Sequence, residues 1–472
     1  MQAHDGMFID GRWQPAAGGG VIEVVDPADE QVIATVPAGT AADVDAAVAA
    51  ARAAFPRWAA TPPADRAARV GALSDALAAR AEDVAATVTA ELGAPLTFSR
   101  KVHAAVPVAV SASYAEIGAA YPYEEKAGTA TVLHEPVGVV GAITPWNYPL
   151  HQIVAKAAPA LAAGCTVVLK PAENTPLVAR IFAEAVAAAG FPPGVLNVVT
   201  GYGAEAGRAL AEHPGTDFLS FTGSTAVGRT VAAAAGAAVK PVALELGGKS
   251  ANVILPGADL ARAVNAGVAN VMANSGQTCT AWTRMLVHRA AYDQALTLAT
   301  TALTKYAPGD PRDPATRLGP VVSAVQRERV RGHIERGTAE GAVLLAGGAG
   351  APEGRERGYF VQPTVFADVT PDMTIAQEEI FGPVLAIMPY EDEDDALRIA
   401  NGTVYGLAGA VWAADEAEAA AFARRMETGT VVVNGGKFDP LAPFGGHKQS
   451  GIGRELGVAG LAEFLHTKSL QF

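Results

Sequence analysis

Between Val137 and Leu255 the sequence alternates short runs of β-branched residues with longer runs of helix-forming residues. The short apolar runs suit strands that are buried on both faces, and the Ala-rich runs between them have helical periodicity. Parallel strands need crossover connections of helical length, so the alternation predicts a parallel, doubly wound α/β sheet. The strand runs are VGVVGAI, TVVLKP, VLNVVT, DFLSFTG, PVALEL and ANVIL, and the helical runs include LVARIFAEAVAAAG and TAVGRTVAAAAG.

A second alternating block extends from LARAVNAGVANVMANSG through TRMLVHR and AVQRERVRGHIERG to TGTVVVNGG. The chain has 472 residues, more than a single hydrophobic core supports. We therefore predict two α/β domains that join near Leu246-Gly247-Gly248. Thr40 is predicted to cap the first of several helices that continue to about Ala119. The C-terminal run LAEFLHTKSLQF is predicted to form a helical turn and an exposed strand, which invites pairing with another subunit.

Charge and composition argue against several classes of protein. The formal net charge is −13 and no Lys/Arg stripe is present, so we expect no nucleic-acid partner. The apolar runs are too short to span a bilayer, and MQAHDGMFIDGRW lacks the apolar segment of a signal peptide, so no membrane association is expected. Cys165 and Cys279 are the two cysteines and give no disulfide framework, which favours a reducing cytoplasm. The scattered histidines show no metal-ligand spacing, so no catalytic metal is expected.

Three glycine clusters at predicted strand ends are candidates for binding a dinucleotide. GYGAEAG, which contains Gly203 and Gly207, approximates the dinucleotide fingerprint but has one residue too many before its last glycine; a tight turn explains it equally well. SFTGSTAVG places Gly223 and Ser224 at a strand-to-helix junction, where a diphosphate is favoured, although Ser-Thr capping needs no ligand. LGGK follows a strand that ends in Glu245 and suits a loop that makes room for a neighbouring group.

Cys279 has an unusual setting for a buried thiol, because NSGQTCTAWTR surrounds it with small and polar residues. Cys165 instead precedes the apolar run TVVLKP and is predicted to be a packing residue. In TPWNYP, Asn147 could cap a turn or donate hydrogen bonds to an anion. In LKPAEN, Lys170 and Glu173 stand at a strand end, where both could bond to ribose hydroxyls.

Taken together, seven motifs resemble the aldehyde dehydrogenase superfamily: TPWNYP, LKPAEN, FTGSTAVG, ELGGK, GQTC, EEIFGPV and PFGGHKQSGIGRELG. They follow the family's order from about residue 10 to the C-terminus, and Glu245 precedes Cys279 by 34 residues, as in the family. His447 replaces a tyrosine common at its position, in a structural turn. The resemblance implies an α/β fold with a Rossmann-like cofactor domain, an α/β catalytic domain and a small β bridging element for oligomerisation. The implied ranges are 1–117 and 137–246 for the NAD-binding domain, 247–446 for the catalytic domain, and 118–136 and 459–472 for the oligomerisation element.

The resemblance also implies roles for individual residues. Cys279 would be the nucleophile, Glu245 the general base, Asn147 an oxyanion donor with the Cys279 backbone amide, and Lys156 a residue near the proton path of the base. From the residues alone, Glu245 could instead cap its loop or pair with Lys249. The implied cofactor contacts are Ile143, Thr144, Pro145, Trp146, Lys170, Glu173, Gly203, Gly207, Phe221, Gly223, Ser224, Leu246, Glu379 and Phe381. The implied substrate-pocket residues are Tyr148, Gln152, Thr278, Phe438 and Phe444.

The activity implied by the resemblance is oxidation of an aldehyde to the carboxylic acid with NAD, through a cysteine thiohemiacetal and a thioester. NADP should bind more weakly, because Glu173 would repel its 2′-phosphate. One alternative is a CoA-acylating semialdehyde dehydrogenase, which would not need Glu245. Another is a non-catalytic binding or structural protein on the same fold, against which the intact catalytic set argues. The matched pocket segments contain no Arg or Lys apart from Lys437, which favours an uncharged aldehyde, and a homodimer or homotetramer is expected.

Overall fold

The first α/β sheet is built from the β-branched runs in the middle of the chain, in a computed structural model that describes residues 2–472. Five of its eight strands are parallel, and in space they follow the order third, second, first, fourth, fifth along the chain. This is the order of a doubly wound nucleotide-binding sheet. Antiparallel strands complete both edges. In spatial order the strands are Arg12–Pro15, Gly6–Ile9, Leu196–Val198, Thr166–Lys170, Val139–Ile143, Phe218–Thr222, Val242–Glu245 and Gly451–Ile452.

Helices cover both faces of this sheet. Successive residues of its central strand therefore enter different hydrophobic clusters. Val140 belongs to the larger cluster, whereas Val139 packs in a second one with Val44 from the first long helix. That helix starts after Thr40, whose backbone N–H donates to Asp43 Oδ2 at 2.8 Å, as expected for a helix cap. The helical segments of this half are Ala41–Ala59, Pro63–Ala79, Ala81–Leu92, Leu96–Phe98, the π-helical turn Ser99–Ala104, Ala105–Ala120, Pro149–Ala163, Leu177–Ala188, the π-helical turn Gly203–Gly207, Arg208–Glu212 and Thr225–Ala237.

The second alternating block forms a seven-stranded sheet that is parallel except for one edge strand. Its two faces are covered by separate hydrophobic clusters. The strands in spatial order are Val343–Ala346, Thr364–Ala367, Val384–Tyr390, Arg284–His288, Ala251–Ile254, Ala408–Trp412 and Thr430–Val433. The helical segments are Leu260–Met272, Ala273–Gly276, Arg289–Ala291, Tyr292–Leu303, Thr304–Tyr306, Ala324–Ala339, Thr374–Gln377, Glu393–Asn401 and Glu416–Ala423.

Three smaller sheets complete the fold. The C-terminal strand Leu465–Leu470 follows the short helix Gly457–Ala462 and is mostly exposed, as the sequence predicted. It pairs with Ala130–Pro136, which in turn pairs with Glu124–Ala127. The other small sheets contain Gln2–Ala3, Gln31–Pro37 and Val21–Asp26, and Tyr405–Gly406 with His447–Lys448.

The chain passes from the first large sheet to the second between Glu245 and Ala251. The implied division into NAD-binding, catalytic and oligomerisation ranges stays a prediction. Within residues 2–472, no helix has the length and apolar character needed to cross a membrane.

Candidate active site

The carboxyl ends of the parallel strands in the first sheet gather several of the predicted site residues. The strand register places Ile143 opposite Lys170 on one side and opposite Phe221 on the other, and Glu245 ends the next strand. From the two central strands the chain continues to opposite sides of the sheet, which opens a crevice at the strand ends. The sequence therefore places its candidate residues where a doubly wound sheet binds ligands.

Cys279 meets this edge from the second half of the chain. It lies in a turn between the 3₁₀ segment Ala273–Gly276 and the strand Arg284–His288, and it is partly exposed. Its carbonyl oxygen comes so close to Gly248 that a Cβ on Gly248 would lie 2.5 Å from it. Glycine is therefore required there, and its absence of a side chain lets the Cys279 turn pack against the loop that follows Glu245.

The two cysteines have different surroundings. Burial raises the pKa of the Cys279 thiol, and the carboxylates of Glu379 and Glu245 raise it further. The thiol is therefore protonated at rest and must lose its proton when it attacks a substrate. Cys165 is fully buried, burial raises its pKa to about 12, and its Sγ lies 3.4 Å from the Phe464 carbonyl oxygen. These surroundings suit a packing residue, as predicted.

Asn147 is buried in the loop between the strand Val139–Ile143 and the helix Pro149–Ala163. Its Nδ2 donates to the Gln277 carbonyl oxygen at 3.1 Å, two residues before Cys279. An amide NH₂ group has a second N–H, which remains for another acceptor near the thiol. The folded chain thus brings Asn147 to the Cys279 turn from 130 positions away.

Glu245 is buried, and its Oε2 has no hydrogen-bond partner within residues 2–472. Burial raises the pKa of Glu245 well above its usual value, and the nearby Glu455 carboxylate raises it further. The positive charges of Lys156 and Arg454 lower the pKa of Glu245. A buried carboxyl group with a raised pKa and a free oxygen is suited to exchanging protons with a water molecule.

Glu455 was not among the predicted site residues. Its Oε1 accepts a hydrogen bond from Lys156 Nζ at 2.5 Å, and both side chains are buried. The two residues are 299 positions apart, so no local spacing in the sequence could have paired them. Lys249 does not pair with Glu245: its buried Nζ has no hydrogen-bond partner in the described chain, and burial lowers its pKa to about 7.

Lys170 and Glu173, which are predicted to contact the ribose, form an ion pair with each other. Lys170 Nζ lies 3.0 Å from Glu173 Oε2; the lysine is buried and the carboxylate is partly exposed. Gly207 faces this pair, because a Cβ on Gly207 would lie 3.8 Å from Lys170 Cδ. Gly203 begins the same π-helical turn, and a Cβ there would meet no atom of the described chain within 4 Å.

The second glycine cluster lies at the start of the helix Thr225–Ala237. Ser224 caps this helix, with its Oγ 3.4 Å from the backbone nitrogen of Val227. Gly223 packs over the Phe221 ring, where a Cβ would lie 2.5 Å from the ring. The Leu246 side chain packs against the same helix at Gly228. The first turn of a helix leaves backbone N–H groups without an intrahelical acceptor, and such groups can bind an anion.

The motif EEIFGPV belongs to the second half of the chain and contributes Glu379 and Phe381 to the crevice. Glu379 Oε1 accepts a hydrogen bond from the Gly248 backbone N–H at 3.0 Å. Phe381 has a left-handed backbone, with φ of 60°, and its ring lies 5.3 Å from the Trp146 ring at an angle of 87°. Trp146 follows Thr144 and Pro145 in the loop that also carries Asn147.

Tyr148 and Thr278 are in direct contact, because the tyrosine hydroxyl lies 2.7 Å from Thr278 Oγ1, one residue before Cys279. Two residues that were not predicted extend this wall. The His103 ring lies 5.0 Å from the Tyr148 ring, and Phe98 lies 5.4 Å from His103. Both belong to the helical run that precedes Ala105, where nothing in the local sequence distinguishes a pocket residue from a core residue.

The other predicted pocket residues differ in how deeply their side chains are buried. Gln152 is buried and its Oε1 has no partner in the described part of the chain. Phe438 is 57% exposed and lies 6.4 Å from the His151 ring, so it stands at the rim instead of in an enclosed wall. Phe444 exchanges two backbone hydrogen bonds of 2.7 Å with Glu455, which connects it to the residue that holds Lys156.

Comparisons with known proteins identify the family of the chain. The model of the aldehyde dehydrogenase family matches residues 13–470. The chain belongs to the aldehyde dehydrogenase family. This confirms the predicted family, the enzyme class and the α/β fold.

Individual relatives cover the whole length of the chain. A 3-succinoylsemialdehyde-pyridine dehydrogenase of a Pseudomonas species is 47% identical over 100% of this chain and 99% of its own. Aldehyde dehydrogenase C of Pseudomonas syringae, solved with NAD⁺ and octanal, is 45% identical with a TM-score of 0.98, over 99% of this chain and 96% of that chain. An aldehyde dehydrogenase of Mycobacterium tuberculosis, solved with NAD⁺, is 47% identical with a TM-score of 0.97, over 100% of this chain and 98% of that chain.

Replacing each cysteine in turn tests which thiol reacts. We expect Cys279→Ser to abolish aldehyde oxidation and to leave NAD binding intact, because a hydroxyl is a far poorer nucleophile than a thiol at neutral pH. Cys165→Ser is the matched control and should keep most of the activity, measured as NADH formation. Turnover within about tenfold of wild type in Cys279→Ser, or loss of turnover in a folded Cys165→Ser, would contradict the assignment.

Proposed function

We propose that this aldehyde dehydrogenase oxidises an uncharged aldehyde to the carboxylic acid with NAD, with Cys279 as nucleophile, Glu245 as base and Asn147 as oxyanion donor. The observation that carries the proposal is the approach of the Cys279 turn to the loop after Glu245, through the contact at Gly248. Asn147 joins the same turn through the Gln277 carbonyl oxygen. Nucleophile, base and amide thus come from three separate parts of the sequence.

The crevice fits a dinucleotide. The N–H groups of the helical turn that follows Ser224 suit a diphosphate, and the Lys170–Glu173 pair offers both a donor and an acceptor to ribose hydroxyls. Glu379 provides a second carboxylate beside Gly248. Two relatives that are 45% and 47% identical were solved with NAD⁺, which supports NAD as the cofactor of this chain. Bound NAD⁺ supplies the hydride acceptor for the oxidation.

In the first half-reaction the Cys279 sulfur bonds to the aldehyde carbon, the thiol proton passes to a solvent water molecule, and the carbonyl oxygen becomes an oxyanion. The second N–H of Asn147 and the Cys279 backbone N–H are the donors for that oxygen. Loss of hydride from the same carbon restores the carbonyl group and leaves a thioester on Cys279. The small neighbours of Cys279, including Thr278 and Thr280, leave room for the substrate at the sulfur.

In the second half-reaction water hydrolyses the thioester. Glu245 takes a proton from the water, the water oxygen bonds to the acyl carbon, and the carbon–sulfur bond breaks to release the acid and the Cys279 thiolate. The free Oε2 of Glu245 is the atom we assign to this proton transfer. Lys156 and Glu455 form a buried pair behind the base and affect its proton affinity through their charges.

The pocket wall indicates the class of aldehyde. Phe98 and Tyr148 contribute aromatic rings to the wall and Phe438 contributes one at its rim, and burial lowers the pKa of His103 to about 3 and that of His151 below its usual value, so both imidazoles are neutral. A carboxylate on the substrate would meet no fixed cation among these residues, and Lys437 lies beside Phe438 at the rim. Octanal in the solved relative supports the same class.

Assembly and compartment complete the proposal. The exposed C-terminal strand Leu465–Leu470 has a free edge beyond its pairing with Ala130–Pro136, which suits contact with another copy in a homodimer or homotetramer. Both cysteines are free thiols, and a nucleophilic thiol is best preserved in a reducing cytoplasm.

Glu245→Gln tests the assignment of the base. We expect one fast equivalent of NADH followed by stalled turnover, because acylation needs the thiol and hydrolysis needs the base. Stopped-flow absorbance at the NADH band measures both phases. Glu212→Gln, an exposed carboxylate paired with Arg208 at 2.9 Å, is the control and should show normal turnover. Loss of the first equivalent as well would assign Glu245 to deprotonation of the thiol.

Glu173→Ser tests the choice of cofactor. The Glu173 carboxylate would face the 2′-phosphate of NADP as a like charge, which is worth on the order of 1–3 kcal/mol, or roughly 5- to 150-fold in affinity. Lys170 offsets part of this repulsion, so we expect a preference for NAD and not exclusion of NADP. The measurement is kcat/KM for both cofactors at fixed ionic strength. Glu173→Ser should lower the NAD-to-NADP ratio of kcat/KM, mainly by raising kcat/KM for NADP. Glu212→Ser should leave this ratio unchanged. A wild type that prefers NADP would contradict the assignment.

A pair of substrates tests the aldehyde class. Butanal and succinic semialdehyde have four carbons each and differ by one carboxylate. We expect kcat/KM to be at least about tenfold higher for butanal, because a carboxylate without a partner cation is costly to bury. Octanal and benzaldehyde should also be oxidised. Equal or faster oxidation of succinic semialdehyde would show that a cation reaches the pocket.

A further inference from the structure

The segment just before Cys279 has an unusual backbone. Asn274, Ser275 and Gly276 are three consecutive residues in the left-handed region, with φ of 52°, 57° and 75°. Such a run is costly for residues with a side chain and persists only where surrounding contacts hold it. Here Ser275 Oγ donates to the Gly319 carbonyl oxygen at 2.9 Å, and Gly276 packs directly on the backbone of Gly382.

The Asn274 side chain ties this segment to Asn147. Its Nδ2 donates to the Asn147 carbonyl oxygen at 2.8 Å and to the Gln277 carbonyl oxygen at 3.3 Å. The Asn147 amide donates to the same Gln277 oxygen at 3.1 Å. Both the backbone and the side chain of Asn147 are therefore fixed relative to the residues that lead to Cys279.

His103 sets the orientation of the Asn274 amide. Two carbonyl oxygens face one side of that amide, so its NH₂ group must point to them and its Oδ1 must point away. Oδ1 lies 3.4 Å from His103 Nε2, which donates to it in the Nε2–H tautomer. His103 is buried in the π-helical turn Ser99–Ala104, a kind of irregularity that is frequent at functional sites.

We infer that Asn274, oriented by His103, is a positioning residue that holds the Asn147 amide at the oxyanion site beside Cys279. The inference rests on the proposed oxyanion role of Asn147. The His103 ring also lies 5.0 Å from Tyr148, whose hydroxyl contacts Thr278, so this imidazole is connected to the segment before Cys279 at both Asn274 and Thr278. Neither Asn274 nor His103 touches the reacting atoms in this assignment.

A double-substitution cycle tests the coupling. Asn274→Gly removes the side chain and keeps a residue that tolerates the left-handed backbone. We expect it to slow the first NADH turnover in stopped flow by about tenfold or more, part of what an oxyanion donor contributes, with an unchanged Kd for NAD. In the Asn147→Ala background the same substitution should cost less than about twofold, because the group it positions is already gone.

Asn434→Gly is the matched control. Asn434 is also left-handed, with φ of 47°, and its Oδ1 accepts a hydrogen bond from the Ala413 backbone N–H at 3.0 Å. It follows the strand Thr430–Val433, at the carboxyl edge of the parallel sheet, whereas Gly248 precedes Ala251–Ile254 and Cys279 precedes Arg284–His288, at the amino edge. Its first turnover should stay at the wild-type rate.

A second pair of variants keeps the inference testable if Asn274→Gly does not fold. Gln at position 103 retains a donor near the position of Nε2, whereas Phe retains the ring and loses the donor. We expect His103→Phe to lower kcat with little change in KM, and His103→Gln to restore most of it. Equal activity of the two variants would overturn the role of the imidazole.

The outcomes separate this inference from the proposed function. Two outcomes would remove the role of Asn274 and leave that of Asn147. In the first, Asn147→Ala slows the first turnover and Asn274→Gly does not. In the second, the rate loss of the double variant equals the product of the two single losses. If Asn147→Ala itself leaves the first turnover unchanged, the oxyanion assignment falls and takes this inference with it.

Discussion

The site depends on the close approach of the Cys279 backbone and the Glu379 side chain to the loop at Gly247 and Gly248. A Cβ on Gly248 would lie 2.5 Å from the Cys279 carbonyl oxygen, and a Cβ on Gly247 would lie 2.6 Å from Glu379 Oε2. The loop that carries the chain from one sheet to the other therefore also joins the residues assigned as base, nucleophile and cofactor contact. Any larger residue here would separate elements that the proposed chemistry needs within a few ångströms.

Much of this arrangement could be predicted from the sequence because its determinants are local. The β-branched runs ending in Lys170 and Glu245 form strands of the expected parallel sheet, and strand ends of such a sheet meet at one edge. Cys279 stood out through its polar neighbours. These signals lie within a few residues of the groups that they identify.

The residues that were missed are defined by contacts between distant segments. Glu455 pairs with Lys156 across 299 positions, and His103 meets Asn274 across 171. In the sequence, His103 stands in a helical run and Asn274 at the end of another, where each reads as an ordinary buried polar residue. The left-handed backbone of Asn274 and Ser275 has no sequence signature either, because neither residue requires that conformation.

The distribution of buried charge explains why Glu245 is the carboxylate left free for a proton. Lys156 gives its short hydrogen bond to Glu455, and Lys249, whose pKa burial lowers to about 7, has no hydrogen-bond partner in the described chain and makes no ion pair with Glu245. Lys156 consequently acts on Glu245 only through its charge and without a hydrogen bond. The neighbouring Glu455 carboxylate favours the protonated form of Glu245. If Lys156 bonded to Glu245 instead, the carboxylate would be stabilised as an anion and would be a weaker base. The pairing of Lys156 with Glu455 therefore maintains a carboxyl group of high proton affinity at the position that we assign to the base in thioester hydrolysis.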